Sequence, residues 1–238
     1  MQGESAFKRG LKQGLPIGLG YLPVSFTFGF LTVAGGLPPW VGLFISLTNL
    51  TSAGQFAGMN LILAGSGYLE ITLTSLVINL RYSLMSLSLS QKIEEKIPVW
   101  QRLIFSFGIT DETFVLASME KPPLKAGYLF GLILLPIIGW NVGTLGGVCV
   151  TNFLPEALQN AMGIALFAMF IALIMPAVRD SSPVLFVVIV SVAVTCILQY
   201  VPLFSFISSG FRVIIATIAA SALGAWLFPK KEEEAVGG

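Results

Sequence analysis

Long apolar stretches alternate with short turns rich in glycine, proline or charge along most of this 238-residue chain. Crossing the hydrocarbon core of a bilayer takes about 20 helical residues, because each residue adds ~1.5 Å. Eight stretches approach or exceed that length, at residues 15–34, 40–64, 69–90, 100–118, 126–150, 158–178, 183–200 and 211–228. The pattern predicts an all-α, polytopic transmembrane helix bundle with seven or eight hydrophobic segments, folded as one domain over residues 1–238.

The polar residues of the second segment, 40–64, are concentrated in its middle. They are Thr48, Asn49, Thr51, Ser52, Gly54 and Gln55. Residues that weaken a helix at mid-membrane depth predict a discontinuous helix whose free ends bind a small polar ligand. Tight packing of small residues is the alternative, although the buried amide of Gln55 would need several hydrogen-bond partners. Pro23 predicts a kink or break in the first segment.

The third segment, 69–90, carries Arg81 near its midpoint. A guanidinium at the bilayer centre costs roughly 2.5–3.5 kcal/mol on insertion scales, so it needs a carboxylate, carbonyl oxygens or water beside it. Two polar stripes run along this helix, one through Asn79 and the other through Glu70 and Arg81. We therefore expect this helix at the centre of the bundle, either surrounded by protein or unwound near Asn79.

Two adjacent carboxylates, Asp111 and Glu112, lie in an apolar context within segment 100–118. Neighbouring residues on a helix point ~100° apart, so one acid is expected to face Arg81 while the other stays free to titrate. The segment is short for a span, and it either crosses the bilayer or enters and returns. Crossing would give eight spans with both termini in the cytoplasm, which the basic residues near the N-terminus favour.

Composition assigns the chain to the integral membrane proteins. Hydrophobic residues make up 55% of it and charged residues 11%, whereas a soluble domain has about 25% charged residues. A formal net charge of +1 gives no basis for nucleic-acid binding. The chain has no histidine, which excludes His-based triads, His metal sites and His proton relays, and it has no GxxxxGK(S/T) phosphate-binding loop, which excludes ATP hydrolysis by this chain. We expect no metal site, no cofactor and no enzymatic activity.

Three motifs follow one another along the first half of the chain: Ser52-Ala53-Gly54-Gln55-Phe56, Asn79-Leu80-Arg81-Tyr82-Ser83-Leu84 and Thr110-Asp111-Glu112-Thr113-Phe114. In this order and spacing they resemble the AzlC family of bacterial branched-chain amino acid permeases. The resemblance implies the large subunit of a two-component exporter in the bacterial cytoplasmic membrane, which acts on leucine, isoleucine, valine and analogues such as azaleucine. It also implies a small companion membrane protein of the AzlD type.

A zwitterionic amino acid needs a cation or a helix N-terminus for its carboxylate and acceptors for its ammonium group. The expected substrate-binding residues are Ser52, Gln55, Asn79 and Arg81. Asp111 or Glu112 would take the ammonium group, and a proton on either acid would compete with the ion pair, so the proton gradient is the expected driving force. An ion channel, or a structural subunit without transport chemistry, is the alternative. A homo-oligomer is compatible with either function, and the turns Leu37-Pro38 and Leu154-Pro155 suggest an internal repeat.

Overall fold

The computed structural model describes residues 5–151, 171 and 174–229, and most of these residues are helical. No β-strand occurs in those ranges, so the predicted all-α class is confirmed. The chain forms two compact units. Unit 1 comprises Met1–Gly65 and Ile78–Leu166, and unit 2 comprises Ser66–Val77 and Phe167–Gly238.

Seven helices occupy the described part of the chain up to residue 151. They are α1 (Ala6–Ala34), α2 (Pro39–Thr48), α3 (Ala53–Leu63), α4 (Tyr68–Ser90), α5 (Val99–Phe107), α6 (Asp111–Met119) and α7 (Ala126–Val150). After helical residues 174–180 come α8 (Ser182–Tyr200), a 3₁₀ turn (Pro202–Phe204) and α9 (Ser209–Leu227). Most of the predicted segment 158–178 lies outside the described residues.

Among the described helices, α1, α7, α8 and α9 are long and apolar enough to cross a membrane. Helix α4 has 23 residues, but its polar side chains lower its hydropathy, and it is not among these four. Of the predicted kink or break at Pro23, the break does not occur, because α1 is one helix through Pro23. The Thr27 hydroxyl donates to the Pro23 carbonyl oxygen at 2.9 Å within this stretch.

Close backbone contact between α1 and α7 forms the centre of unit 1. Glycines line both sides of the contact, and a Cβ atom on any of them would lie less than 3 Å from a backbone carbonyl oxygen of the other helix: Gly10, Gly14, Gly18, Gly131, Gly139 and Gly147. Small residues at a helix interface allow this approach in membranes, where dispersion contacts replace hydrophobic burial. Arg81 and Ser83 on α4 are exposed within unit 1, and α4 belongs to both units, so the expectation that segment 69–90 occupies the centre of the whole bundle stays a prediction.

Helices α2 and α3 form a hairpin that starts and ends beside the last turn of α1. Helix α3 runs in the same direction as the last part of α1, because successive residues of one contact successive residues of the other. The contacts are Phe56 with Phe28, Met59 with Thr32 and Leu63 with Gly35. Helix α2 begins at the same level, because Gly42 lies against the Thr32 side chain. Segment 40–64 is therefore interrupted, as predicted, but it enters and returns instead of crossing.

Helices α5 and α6 form a second hairpin at the opposite end of the α1–α7 pair. The loops that flank it are joined, because the Glu94 amide donates to the Leu124 carbonyl at 3.1 Å and the Leu124 amide donates to the Lys92 carbonyl at 2.8 Å. At the end of α6, Glu120 forms an ion pair with Arg9 near the start of α1, at 3.0 Å. Of the two alternatives for segment 100–118, the structure has the one that enters and returns.

In unit 2, the side chain of Glu70 caps the start of α9. Its Oε1 atom accepts a hydrogen bond from the Ser208 hydroxyl at 2.6 Å and another from the Gly210 amide at 2.7 Å. A carboxylate at this position is favourable because the first amides of a helix carry partial positive charge. Helices α8 and α9 pack together, with the rings of Phe186 and Phe228 5.5 Å apart.

The two ends of unit 1 differ sharply in charge. Apart from Arg81, every Lys and Arg in its described part lies at the end where α1 begins and α4 ends: Lys8, Arg9, Lys12, Lys92, Lys96, Arg102, Lys121 and Lys125. Residues 35–38 and 64–65, at the other end, include none. The positive-inside rule assigns this basic end to the cytoplasm.

Cysteine labelling should separate a returning α2–α3 hairpin from a crossing segment. In a variant without the two native cysteines, Leu37→Cys and Ala64→Cys should both react with a membrane-impermeant maleimide from outside the cell. Lys96→Cys and Lys121→Cys should react only after permeabilisation. Labelling of Leu37→Cys and Ala64→Cys from opposite sides would contradict the hairpin.

Two glycines of α1 test the close helix contact. A Cβ on Gly18 would lie 2.6 Å from the Leu135 carbonyl oxygen, whereas one on Gly20 would meet nothing within 4 Å. Gly18→Ala should destabilise the protein by about 1–3 kcal/mol, the usual cost of overpacking. Gly20→Ala should leave stability equal or slightly higher, because alanine favours the helix. Thermal unfolding in detergent measures both, and equal midpoints for the two variants would argue against the contact.

Candidate functional site

The turns of the two hairpins meet about halfway along α1, beside Tyr21. Leu50, in the turn at residues 49–52, packs against Tyr21 and Trp140. From the other side, Thr110 in the turn at residues 108–110 brings its Oγ1 to 2.6 Å from the Tyr21 hydroxyl. Two interrupted helices thus place their free ends at one depth inside unit 1.

Hydrogen bonds from Gln55 hold the turn at residues 49–52. Its Oε1 accepts from the Ser52 amide at 3.4 Å, and its Nε2 donates to the Ser46 hydroxyl at 3.1 Å. The Ser46 hydroxyl in turn lies 2.8 Å from that of Thr144 on α7. Ser52 has a φ of 49°, a left-handed conformation that costs a non-glycine residue about 1–3 kcal/mol. The network therefore maintains a strained turn.

The turn at residues 108–110 sets the position of the two acids. The Thr110 hydroxyl accepts from the Thr113 amide at 3.4 Å, and the Thr110 amide donates to the Thr113 hydroxyl at 2.8 Å. This reciprocal cap starts α6 at Asp111, so Asp111 and Glu112 occupy its first turn. Carboxylates are stabilised there by the partial positive charge of the helix N-terminus.

Arg81 joins α4 to the second turn, and its neighbour Tyr82 joins α4 to the first. The Arg81 guanidinium lies 2.6 Å from Asp111 Oδ2 and also donates to the Tyr82 hydroxyl at 3.1 Å. That hydroxyl donates to the Thr51 carbonyl oxygen at 3.3 Å. The side chains of Arg81 and Asp111 are 43% and 46% exposed within this chain. The pair therefore remains open to a polar ligand.

The second acid has a different partner. Glu112 Oε2 accepts a hydrogen bond from the Tyr21 hydroxyl at 2.5 Å, while the expectation that this acid is free to titrate stays a prediction. Tyr21 is 8% exposed and contacts both hairpin turns, yet sequence reasoning missed it. The signal was a single hydroxyl-bearing ring in an otherwise apolar part of the first segment, since a buried tyrosine normally finds a hydrogen-bond partner.

Two buried oxygen atoms beside the first turn have no partner among the described residues. They are Thr51 Oγ1 and Asn79 Oδ1. Both lie close to Gly54, at 2.5 and 2.6 Å from where its Cβ would stand. A buried polar atom without a hydrogen bond costs about 1–3 kcal/mol, which a polar ligand or water would recover.

The structure brings some of the sequence-predicted site residues together and separates others. Asn79, Arg81 and Asp111 lie around the two turns: the ion pair of Arg81 and Asp111 is exposed, and Asn79 Oδ1 is buried without a partner among the described residues. Helix α4 is continuous through Asn79, so the predicted unwinding at that residue is wrong; the interruption lies in the adjacent turn instead. Ser52 and Gln55 hold the turn, and Gln55 is only 1% exposed. The described residues include no group of three or more His, Cys, Asp or Glu side chains suited to a metal ion.

Comparison with known proteins identifies relatives along most of the chain. The family model described as AzlC protein matches residues 16–154. The chain is 27% identical over 180 residues to the inner membrane protein YgaZ of Escherichia coli, covering 73% of this chain and 74% of that protein. It is 31% identical over 173 residues to an uncharacterized membrane protein of Helicobacter pylori, covering 71% and 75%. A membrane protein of Archaeoglobus fulgidus is 30% identical over 175 residues, covering 73% and 76%. No solved structure matches the chain.

Removing one hydroxyl tests the contact between α1 and the second hairpin. Tyr21→Phe leaves Glu112 and Thr110 without their shared partner and should lower the free energy of unfolding by about 1–3 kcal/mol. Tyr68→Phe is the matched control, because the Tyr68 side chain is 91% exposed. Unfolding in detergent measures both variants. A Tyr21→Phe protein as stable as the control would contradict the hydrogen bonding described here.

Proposed function

The chain belongs to the AzlC family of membrane proteins, and from that premise we propose that it exports branched-chain amino acids across the bacterial cytoplasmic membrane. The substrates proposed are leucine, isoleucine, valine and analogues such as azaleucine. The transporter would draw on the proton gradient and work with a small AzlD-type membrane protein. Family membership and membrane-protein relatives support a transport-related role; substrate, direction and companion belong to the proposal.

The observation that carries the proposal is the meeting of two hairpin turns from opposite ends of the α1–α7 pair. In transporters built from interrupted helices, such free ends bind substrate near the middle of the bilayer. A site between two turns of this kind can be opened toward either side by displacing one hairpin. The ion pair of Arg81 and Asp111 lies at this meeting point, 2.6 Å apart.

An amino acid would replace that ion pair with its own two charges. Its carboxylate would bind the Arg81 guanidinium, which offers paired donors, and its ammonium group would bind Asp111. Thr51 and Asn79 would supply neutral hydrogen bonds from the oxygen atoms that lack partners. Ser52 and Gln55 would act indirectly, by holding the turn in place.

Coupling to protons would depend on the acids of α6. A proton on Asp111 removes the negative charge that holds Arg81 and the substrate ammonium group, so proton and substrate compete. Glu112 is engaged by Tyr21 and would respond to movement of α6 relative to α1. Inward movement of a proton would thereby accompany outward movement of an amino acid.

The two hairpins also revise the expected number of crossings. In this proposal segments 40–64 and 100–118 return to the end where they started, and the other six apolar segments, with 158–178 taken from the sequence pattern alone, would each cross the bilayer once. An even number keeps both termini in the cytoplasm, in agreement with the basic N-terminal residues and with Lys230 and Lys231. An inverted internal repeat is compatible with hairpins that enter from opposite sides.

An ion channel or a structural subunit is the alternative. A channel uses rings of like groups along a continuous pore, whereas Arg81 and Asp111 neutralise one another. A structural subunit has no need of a guanidinium at mid-membrane depth, because its cost of insertion would bring no benefit. The ion pair therefore favours a transporter in which the two charges of the substrate replace the contact between Arg81 and Asp111.

Replacing either partner of the ion pair should abolish export. Arg81→Ala and Asp111→Asn should each lower the initial rate of leucine and azaleucine efflux at least tenfold, because each loses a charged hydrogen bond worth about 1.5–3 kcal/mol. Efflux is measured from preloaded cells that lack their own exporter and also carry the companion gene. Glu95→Gln is the control, since this carboxylate lies in the loop after α4, away from the site.

Membrane insertion is checked by immunoblot of the membrane fraction. Wild-type efflux from an inserted Arg81→Ala protein would contradict the assigned site. Efflux that continues unchanged after collapse of the pH gradient would contradict proton coupling. Wild-type cells that retain leucine as strongly as cells without the gene would contradict export.

A further inference from the structure

A cavity of about 420 Å³ opens at the basic end of unit 1. The start of α1, the loop before α7 and the start of α7 enclose it. Its lining residues are Ala6, Arg9, Glu120, Lys121, Pro123, Leu124, Lys125 and Tyr128. This cavity lies at the opposite end of α6 from Asp111 and Glu112, so it is separate from the site between the two turns.

The charges around the cavity are unbalanced. Of its three cations, Arg9 forms an ion pair with Glu120 at 3.0 Å, and its guanidinium lies 5.3 Å from the centre of the Tyr128 ring. The Tyr128 hydroxyl donates to Gln13 at 2.6 Å, which fixes that wall. Lys121 and Lys125 are exposed, and no acceptor among the described residues binds their ammonium groups. Within the described ranges, two positive charges at the cavity therefore have no counter-ion.

The start of α7 adds donors on the same side. Lys125 precedes the helix and provides no side-chain cap for its first amides. The start of a 25-residue helix attracts an anion, and Lys125 and Tyr128, which flank its first two residues, both line the cavity. The basic end lies at the cytoplasmic surface of the membrane, the depth at which lipid phosphates occur.

We propose that this cavity binds a phosphate group, with the headgroup of an anionic phospholipid as its source. Lys121 and Lys125 would contact the phosphate oxygens, while the Arg9–Glu120 pair would close one side. Basic pockets between transmembrane helices on the cytoplasmic side bind such headgroups. This inference does not depend on the proposed transport function, because it uses none of the residues between the hairpin turns.

Lipid binding to the full-length protein tests the site. Native mass spectrometry in detergent should detect phosphatidylglycerol on the wild-type protein, and phosphatidylcholine at least tenfold more weakly. The double variant Lys121→Ala/Lys125→Ala should lose about tenfold or more in affinity for phosphatidylglycerol, since each lysine near an anionic lipid surface contributes to the free energy of binding. Lys8→Ala/Lys96→Ala removes the same charge from the same end outside the cavity and should bind as the wild type does.

A second arm distinguishes the source of the phosphate. Inorganic phosphate is added at millimolar concentration as a competitor. If it displaces phosphatidylglycerol from the wild type, the cavity is a phosphate site, but its ligand is the free anion and not a lipid headgroup. Equal retention of phosphatidylglycerol and phosphatidylcholine would overturn the proposal. Equal losses in the two double variants would also overturn it, because they would indicate general attraction to the basic end. Circular dichroism confirms that each variant remains helical.

Discussion

Backbone contact between α1 and α7 is the constraint on which the rest of unit 1 depends. Lipid provides little hydrophobic drive for helix association, so two long helices gain stability mainly where their backbones approach closely. Glycines on both helices permit that approach. Because the paired helices occupy the centre of unit 1, the shorter helices pack against the sides of the pair. Each hairpin then extends inward from one end, and the two turns meet beside Tyr21.

The meeting point concentrates groups that are costly in a membrane. Free helix ends, a guanidinium, two carboxylates and two unpaired oxygens lie around turns 49–52 and 108–110. Most of this cost is offset locally: Thr110 caps α6, Gln55 holds the first turn, and Arg81 pairs with Asp111. Two oxygens remain without a partner among the described residues, at Thr51 and Asn79, and both are buried beside Gly54. The polar groups of the two turns are therefore mostly satisfied within the chain, and the Arg81–Asp111 pair is the part that stays exposed.

Sequence reasoning predicted the polar interactions of this region better than it predicted the path of the chain through the membrane. Polar residues clustered in segment 40–64 predicted an interruption, and the cost of an isolated Arg81 pointed to an acid such as Asp111. Hydropathy could not show that the segment returns, because a largely apolar segment of 25 residues is long enough either to cross once or to enter and leave. Only contacts distant in sequence, such as Leu63 with Gly35, distinguish these paths. The link from Tyr21 to Glu112 spans 91 residues and has no local pattern.

The arrangement of charges bears on the direction of coupling in the proposed transporter. If Asp111 binds either a proton or the substrate ammonium group, the two ligands exclude one another at the same carboxylate. A carrier with this property returns across the membrane loaded with one ligand or the other, and it therefore exchanges them. Cotransport in one direction would require both ligands at once, and thus a second acid free to take the proton. In the proposed transporter both ligands bind Asp111, whose ion pair with Arg81 is exposed, so exchange is the predicted mode.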